Sequence, residues 1–215
     1  MTGDSLRPYA AILFDFDGTL ADSYAAIASS VNHVRAKRGL PALAEDEVKK
    51  YVGRGADYLL TQTVPGGDLA TDLARYRAHH PSVMAGLTRL LPGAAELLAA
   101  LRRDGKRIGL CSNKPRIFSQ QLLRSLDVAE YFEVVLGPED VPSPKPAPDM
   151  LLCALRRLAL PAAQVLYVGD MTVDIQTAHA AGVTVWVVLT GSEERRTLEE
   201  AGPDRILTDL REMVL

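Results

Sequence analysis

The sequence predicts a doubly wound α/β fold, a parallel sheet with helices on both faces. Three observations carry this. Short, continuously apolar runs end in turn or polar residues. Segments with leucines at helical spacing alternate with them. One long interval contains only helical patterns, as an inserted module would. Apolar runs without alternation suit strands buried on both faces, which is the condition of a parallel sheet.

In chain order, the first strand is Ala10 to Phe14, running into Asp15. The helical interval follows over 21–84. Tyr24, Ile27, Val31 and Val34 share one face and stop at Gly39; Glu45, Asp46 and Glu47 form an acidic first turn, which the helix dipole favours. Further helical pieces are expected over 56–63 and 68–79, and no strand is expected within the interval. Leu97, Leu98 and Leu101 then define a helix ending at Gly105, followed by a strand from Arg107 to Cys111 that runs into Ser112 and Asn113. Pro115 opens a helix bearing Phe118, Leu122, Leu123 and Leu126. A short strand covers 133–136. From Pro142 to Pro148 prolines alternate with other residues, which predicts an extended backbone carrying Lys145. A helix with Leu151, Leu152, Leu155 and Leu158 precedes the strand Val165 to Val168, which ends at Gly169 and Asp170. Val183 to Leu189 is the last apolar run. The predicted organisation is a core of residues 1–20 and 85–215 with a helical cap of residues 21–84.

Composition narrows the function. The 215 residues hold 24 Lys and Arg against 27 Asp and Glu, a formal charge of −3. With a pI near 5.8, this argues against a nucleic-acid partner, whose phosphates require a basic face. Two distant cysteines, Cys111 and Cys153, suggest no disulfide framework and a reducing compartment. The N-terminal segment lacks the apolar run of a secretory leader, and the last apolar run is too short to span a membrane. The expectation is a soluble, cytoplasmic monomer or homodimer that acts on a small molecule, without membrane contact.

The polar residues that matter sit at strand ends: Asp15 and Asp17, Ser112 and Asn113, Asp170 with Asp174, and Lys145 in the proline-rich segment. In parallel sheets that edge forms the ligand crevice. Any one of these residues alone could be a turn former or a helix cap. Several carboxylates converging on one edge repel each other unless a cation or lysine compensates. The four histidines, His33, His79, His80 and His179, fall outside this set and are expected at the surface or in the cap.

Four ordered segments make the sequence resemble the haloacid dehalogenase superfamily of aspartyl-phosphate enzymes. They are Asp15-Phe-Asp17-Gly18-Thr19-Leu, Cys111-Ser112-Asn113-Lys114, Lys145-Pro-Ala-Pro-Asp149 and Gly169-Asp170-Met-Thr-Val-Asp174. The phosphoglycolate phosphatases are the most similar subgroup. The resemblance implies a phosphomonoesterase in which Asp15 is the nucleophile, Asp17 the acid and base, and Lys145 the neutralising cation. It implies phosphate contacts from Ser112, Asn113, Gly18 and Thr19. It also implies Mg²⁺ held by Asp15, the Asp17 carbonyl and Asp170, with Asp174 ordering bound water. A sugar phosphomutase would use the same pair of aspartates, and a receiver-like phospho-aspartate switch shares the α/β fold. Arg54, flanked by Gly53 and Gly55 in the cap, is a candidate for gripping a substrate carboxylate.

Overall fold

A computed structural model describes residues 6–213. Residues 1–5 and 214–215 of the expected core lie outside the described residues. Strand β1 (Ala11–Phe14) is followed by β2 (Ala21–Asp22) and helices α1 (Tyr24–Lys37), α2 (Glu45–Lys49), α3 (Ala56–Thr63) and α4 (Leu69–Leu87). Then come β3 (Arg89–Leu90), α5 (Ala94–Arg103), β4 (Arg107–Cys111), α6 (Arg116–Ser125), β5 (Val134–Leu136) and α7 (Asp149–Leu158). The chain continues through β6 (Val165–Gly169), α8 (Thr172–Ala181), β7 (Thr184–Val188), α9 (Arg195–Ala201) and β8 (Arg205–Leu207).

Six strands form one sheet in the order β5-β4-β1-β6-β7-β8, and every pairing is parallel. From β1 the chain builds outward to both sides, so a crevice opens at its carboxyl end. Alternate residues of β1 enter different cores. Ile12 and Phe14 pack with Leu98, Leu101 and Leu122, whereas Ala11 and Leu13 pack with Leu151, Leu158 and Ile175. Burial on both faces is why these strands read as unbroken apolar runs. The cap residues build a third core, in which Ile27, Val31 and Val34 of α1 meet Leu73 and Tyr76 of α4.

Several expectations change. Strand β2 lies inside the interval expected to be wholly helical; it pairs antiparallel with β3, joining the start and end of the cap in a two-strand hinge. Two residues are too few to show a periodicity. Helix α4 does not stop at His79 but continues through Pro81 to Leu87. Burial of Met84 in the core below offsets the hydrogen bond that the proline removes. Strand β8, absent from the sequence reading, completes the sheet edge beside β7. The proline-rich segment is not extended: it turns back with Ala147 N–H donating to Pro144 O at 3.0 Å, and the Lys145–Pro146 peptide is cis.

Leu110 lies in β4 with no exposed surface, whereas Leu152 of α7 retains 36% of its own. Leu110→Ala should therefore cost about 2–5 kcal/mol in equilibrium urea unfolding, and Leu152→Ala under about 1 kcal/mol. Equal losses would mean that the sheet core does not dominate stability.

Candidate active site

Strand β1 delivers Asp15 to the sheet edge, where its N–H donates to the Val168 carbonyl of β6 at 2.9 Å. The chain then turns at Gly18, whose φ of +84° is open to glycine. A side chain there would also run into Asp170 and the Tyr24 hydroxyl. Strand β6 delivers Asp170. Helix α8 starts only at Thr172, so Asp174 lies in its first turn and does not share a helical face with Asp170.

Oxygens of Asp15, Asp170 and Asp174 lie within 4.8 Å of one another, all buried. Lys145 Nζ enters this cluster at 3.0 Å from Asp15 Oδ1 and 2.7 Å from Asp174 Oδ1. Asp174 is fully engaged. Its Oδ1 accepts from Lys145 and from the Tyr167 hydroxyl at 2.9 Å; its Oδ2 accepts from the N–H groups of Asp170 and Met171, each at 3.1 Å. It therefore fixes Lys145 and the Asp170 loop.

Two oxygens remain. Among the described residues, Asp15 Oδ1 is ion-paired with Lys145 but lacks an aligned hydrogen bond, and Asp170 Oδ2 has no partner. Burial lifts the Asp15 carboxyl from near 3.8 to about 6, against the pull of Lys145. Burial, then Asp174 and Asp15, push Asp170 well above its ordinary range. Two like charges 4.8 Å apart repel by about 3–4 kcal/mol at an effective dielectric near 20. One lysine against three carboxylates leaves a deficit of positive charge. Hard oxygen donors of this kind are compatible with a hard divalent cation such as Mg²⁺.

The Asp17 carboxylate points elsewhere. It accepts from Ser23 Oγ and forms an ion pair with Lys114 Nζ at 3.2 Å. Lys114 received no role from the sequence; its place beside the strand-end pair Ser112 and Asn113 was the available signal. Other expected phosphate contacts have different duties. The Thr19 hydroxyl donates to Asp170 Oδ1 at 2.7 Å and so aims that carboxylate. The Asn113 side chain donates to Gly53 O at 3.1 Å and Lys145 O at 3.0 Å and accepts from Lys145 N–H, tying the cap loop to the lysine loop. Ser112 lies beside Asp15, whose ionised form it favours. The loop after β7 also contributes: Thr190 donates to Gly18 O at 2.6 Å, and Gly191 packs on Asp170.

Asp15, Asp17, Ser112 and Lys114 line a narrow cavity whose opposite wall is the cap, with Gly53, Tyr76 and His80. A wider cavity of about 680 Å³ lies outside it, between Arg54 and Arg77 of the cap and Pro115, Ile117 and Glu139 of the core. Arg54 is exposed in that outer space, 5.5 Å from the Tyr58 ring, and does not line the inner cavity. His80 lies in the cap, where it is buried and lines the inner cavity. Its spacing of four residues from Tyr76 on one helical face was the signal.

A parallel α/β sheet with a strand-end aspartate, a buried lysine and a second strand-end carboxylate beneath a helical cap defines a class of hydrolase. Residues 12–188 match the family model described as haloacid dehalogenase-like hydrolase, and the chain belongs to that family. It is an enzyme, a phosphatase. A phosphoglycolate phosphatase of Nitrosospira multiformis is 33% identical over 213 residues, covering 95% of this chain and 94% of the relative. One of Salmonella typhimurium is 32% identical over 235 residues, covering 98% and 93%. Among solved structures, a haloacid dehalogenase-like hydrolase from Bacteroides fragilis superposes with a TM-score of 0.90 at 32% identity, covering 96% of this chain and all of that one. Among the described residues no helix is long and apolar enough to cross a membrane.

The carboxylates make a pH-dependent prediction. Asp15 binds its proton more tightly in the folded chain than in the unfolded one, so its contribution favours the fold below about pH 4 and is lost as pH rises through about 6. A divalent cation at these oxygens replaces the proton. The rise in Tm on replacing chelator by Mg²⁺ should be larger at pH 7.5 than at pH 5. Equal shifts at both pH values would place the ion elsewhere.

Proposed function

We propose that this phosphatase is a Mg²⁺-dependent phosphomonoesterase that works through an aspartyl phosphate, with phosphoglycolate as its substrate. The observation that carries the reading is the placement of two incompletely paired buried oxygens, on Asp15 and Asp170, around Lys145, with Asp17 and Lys114 lining the same cavity. The names of the curated relatives support the substrate. When bound, Mg²⁺ supplies charge neutralisation between the Asp15 carboxylate and the phosphate dianion.

In the first step an Asp15 oxygen attacks phosphorus and the bond to the leaving oxygen breaks. Lys145 holds Asp15 ionised and pointed forward, since the Asp174 anchor keeps the ammonium from withdrawing. Asp17 hands a proton to the departing oxygen. Ser112 and the neighbouring backbone N–H groups donate to the phosphoryl oxygens. In the second step Asp17, now ionised, takes a proton from water, and the oxygen of that water displaces Asp15 from phosphorus. Ser23 and Lys114 hold Asp17 in place for both transfers.

Asp15→Asn should lose turnover and phosphoenzyme together, at least 10³-fold in kcat, because an amide is a poor nucleophile. Asp17→Asn should lose turnover while phosphoryl-Asp15 persists once formed from an activated phosphate. Rapid-quench labelling distinguishes the two; near-normal hydrolysis by Asp15→Asn overturns the covalent reading.

Arg54 is the cap cation that a carboxylate-bearing substrate would meet in the outer cavity. Because it is exposed, its contribution is small. Arg54→Ala should lower kcat/KM for phosphoglycolate about fivefold, ~1 kcal/mol, and leave p-nitrophenyl phosphate unchanged. An equal loss on both substrates would assign Arg54 to cap closure.

A further inference from the structure

Helix α4 turns two polar rings toward the catalytic cavity. Tyr76 and His80, one turn apart, stack with centroids 5.1 Å apart and planes 15° from parallel. His80 also meets Phe118 of α6 at 5.3 Å, across the boundary between cap and core. Only 1% of its surface is exposed. Both rings line the cavity that holds Asp15, Asp17 and Lys114.

The surroundings of His80 favour a proton on its Nδ1, with Ser30 Oγ shared between His80 Nδ1 and, at 3.3 Å, His79 Nδ1. Nδ1 lies 2.9 Å from Ser30 Oγ. The single hydroxyl proton of Ser30 is directed at the Ala26 carbonyl, 3.0 Å away, so the Ser30 oxygen is left to accept. With Nδ1 as the donor, Nε2 keeps a bare lone pair. That lone pair is buried and has no partner among the described residues. Burial, together with Lys114 and His79, keeps the ring neutral. The Tyr76 hydroxyl stays protonated under burial and the nearby Asp17 charge, so it remains able to donate.

His80 and Tyr76 thus bring a ring nitrogen and a hydroxyl to the wall of the cavity that Asp17 also lines. An unmatched buried acceptor is unfavourable, so a solute that donates to Nε2 is favoured there. With the cap in its present position the cavity measures about 40 Å³. That is room for one or a few waters and too little for a phosphate ester with its organic group. Water can satisfy an acceptor and a donor together.

We propose that His80 Nε2, assisted by the Tyr76 hydroxyl, positions the water that hydrolyses the aspartyl phosphate; this rests on the covalent reading above. One O–H of the water donates to Nε2 and is retained. The other proton passes to Asp17 as the water oxygen bonds to phosphorus. The bond between phosphorus and the Asp15 oxygen breaks with its electron pair returning to the carboxylate, and inorganic phosphate is released. His80 is neutral before and after, acting as a positioning acceptor while Asp17 is the base. The cap thereby has a duty in the half-reaction from which the organic group has already departed.

The test measures the two half-reactions separately by rapid quench with p-nitrophenyl phosphate, in the wild type, His80→Phe and His80→Gln. His80→Phe should form phosphoenzyme at the wild-type rate and lose it at least tenfold more slowly. Its steady-state kcat and KM should fall together, leaving kcat/KM within twofold. His80→Gln, whose amide oxygen can accept near the Nε2 position, should recover part of the second rate. Equal slowing of both half-reactions would overturn the proposal in favour of a packing role, and unchanged phosphoenzyme decay in His80→Phe would overturn it outright. A slowing that appears with one substrate only would overturn it in favour of contact with the leaving group. If wild-type enzyme forms no phosphoenzyme at all, the covalent reading fails first, and that result is independent of the His80 variants.

Discussion

Burying Asp15, Asp170 and Asp174 together against a single lysine is the constraint on which the rest of the site depends. Carboxylates in a low-dielectric pocket tend to take up protons, and a protonated Asp15 could not attack phosphorus. The fold counters this with full engagement of one carboxylate. Asp174 accepts at both of its oxygens and holds Lys145 3.0 Å from the Asp15 carboxylate. Tyr167, in the middle of β6, donates to the same carboxylate while Lys145 donates to its ring oxygen at 2.9 Å. A residue that looks like sheet core is thus part of the charge framework. The remaining charge deficit falls between Asp15 and Asp170, where a divalent ion would fit.

The second constraint is mechanical. Asn113 bonds to the backbone of Gly53 in the cap and of Lys145 in the core, so one amide registers cap position against the lysine loop. Gly53 has φ of +104°, and a Cβ there would strike the Met171 sulfur beside Asp170. The cap loop therefore approaches the catalytic cluster as closely as backbone allows. The β2–β3 ribbon, only two residues on each strand, holds the two ends of the cap together.

How much of this was legible in the sequence depends on how local the cause is. Strands β1, β4, β6 and β7 announce themselves because burial on both faces leaves an unbroken apolar run. Strand β8 does not, since Arg205 and Ile206 are only half-buried at the sheet edge. The two-residue strands carry no periodic signal at all. Asp15, Lys145 and Asp170 were found because each lies at or beyond the end of a readable strand. Thr19 and Asn113 were placed at the correct edge, but their side-chain duties depend on partners 151 and 32 residues away. No local pattern contains that information. Helix α4 runs past the expected end at His79 and through Pro81, because burial of Met84 in the core is a tertiary effect.

The two cavities divide the work in a way that no single motif suggests. The inner one is built from strand ends and one face of α4, and its polar groups are buried, directional and few. The outer one is rimmed by Arg54, Arg77 and Glu139, exposed side chains on long stems that can rearrange at little energetic cost. Preorganisation is needed where charge develops on phosphorus and on Asp17, because donors that must reorient there would raise the barrier. It is not needed where a substrate tail is recognised, since exposed charge contributes little per contact and tolerates variation. Substrate preference on this fold can therefore drift through the outer rim, while the inner groups must keep their geometry for any phosphate ester to turn over. His80 belongs to the inner set by burial and by its place in the cavity wall, although it is carried by the cap. The cap is accordingly two surfaces on one module, with an exposed charged rim outside and a buried wall of the inner cavity within.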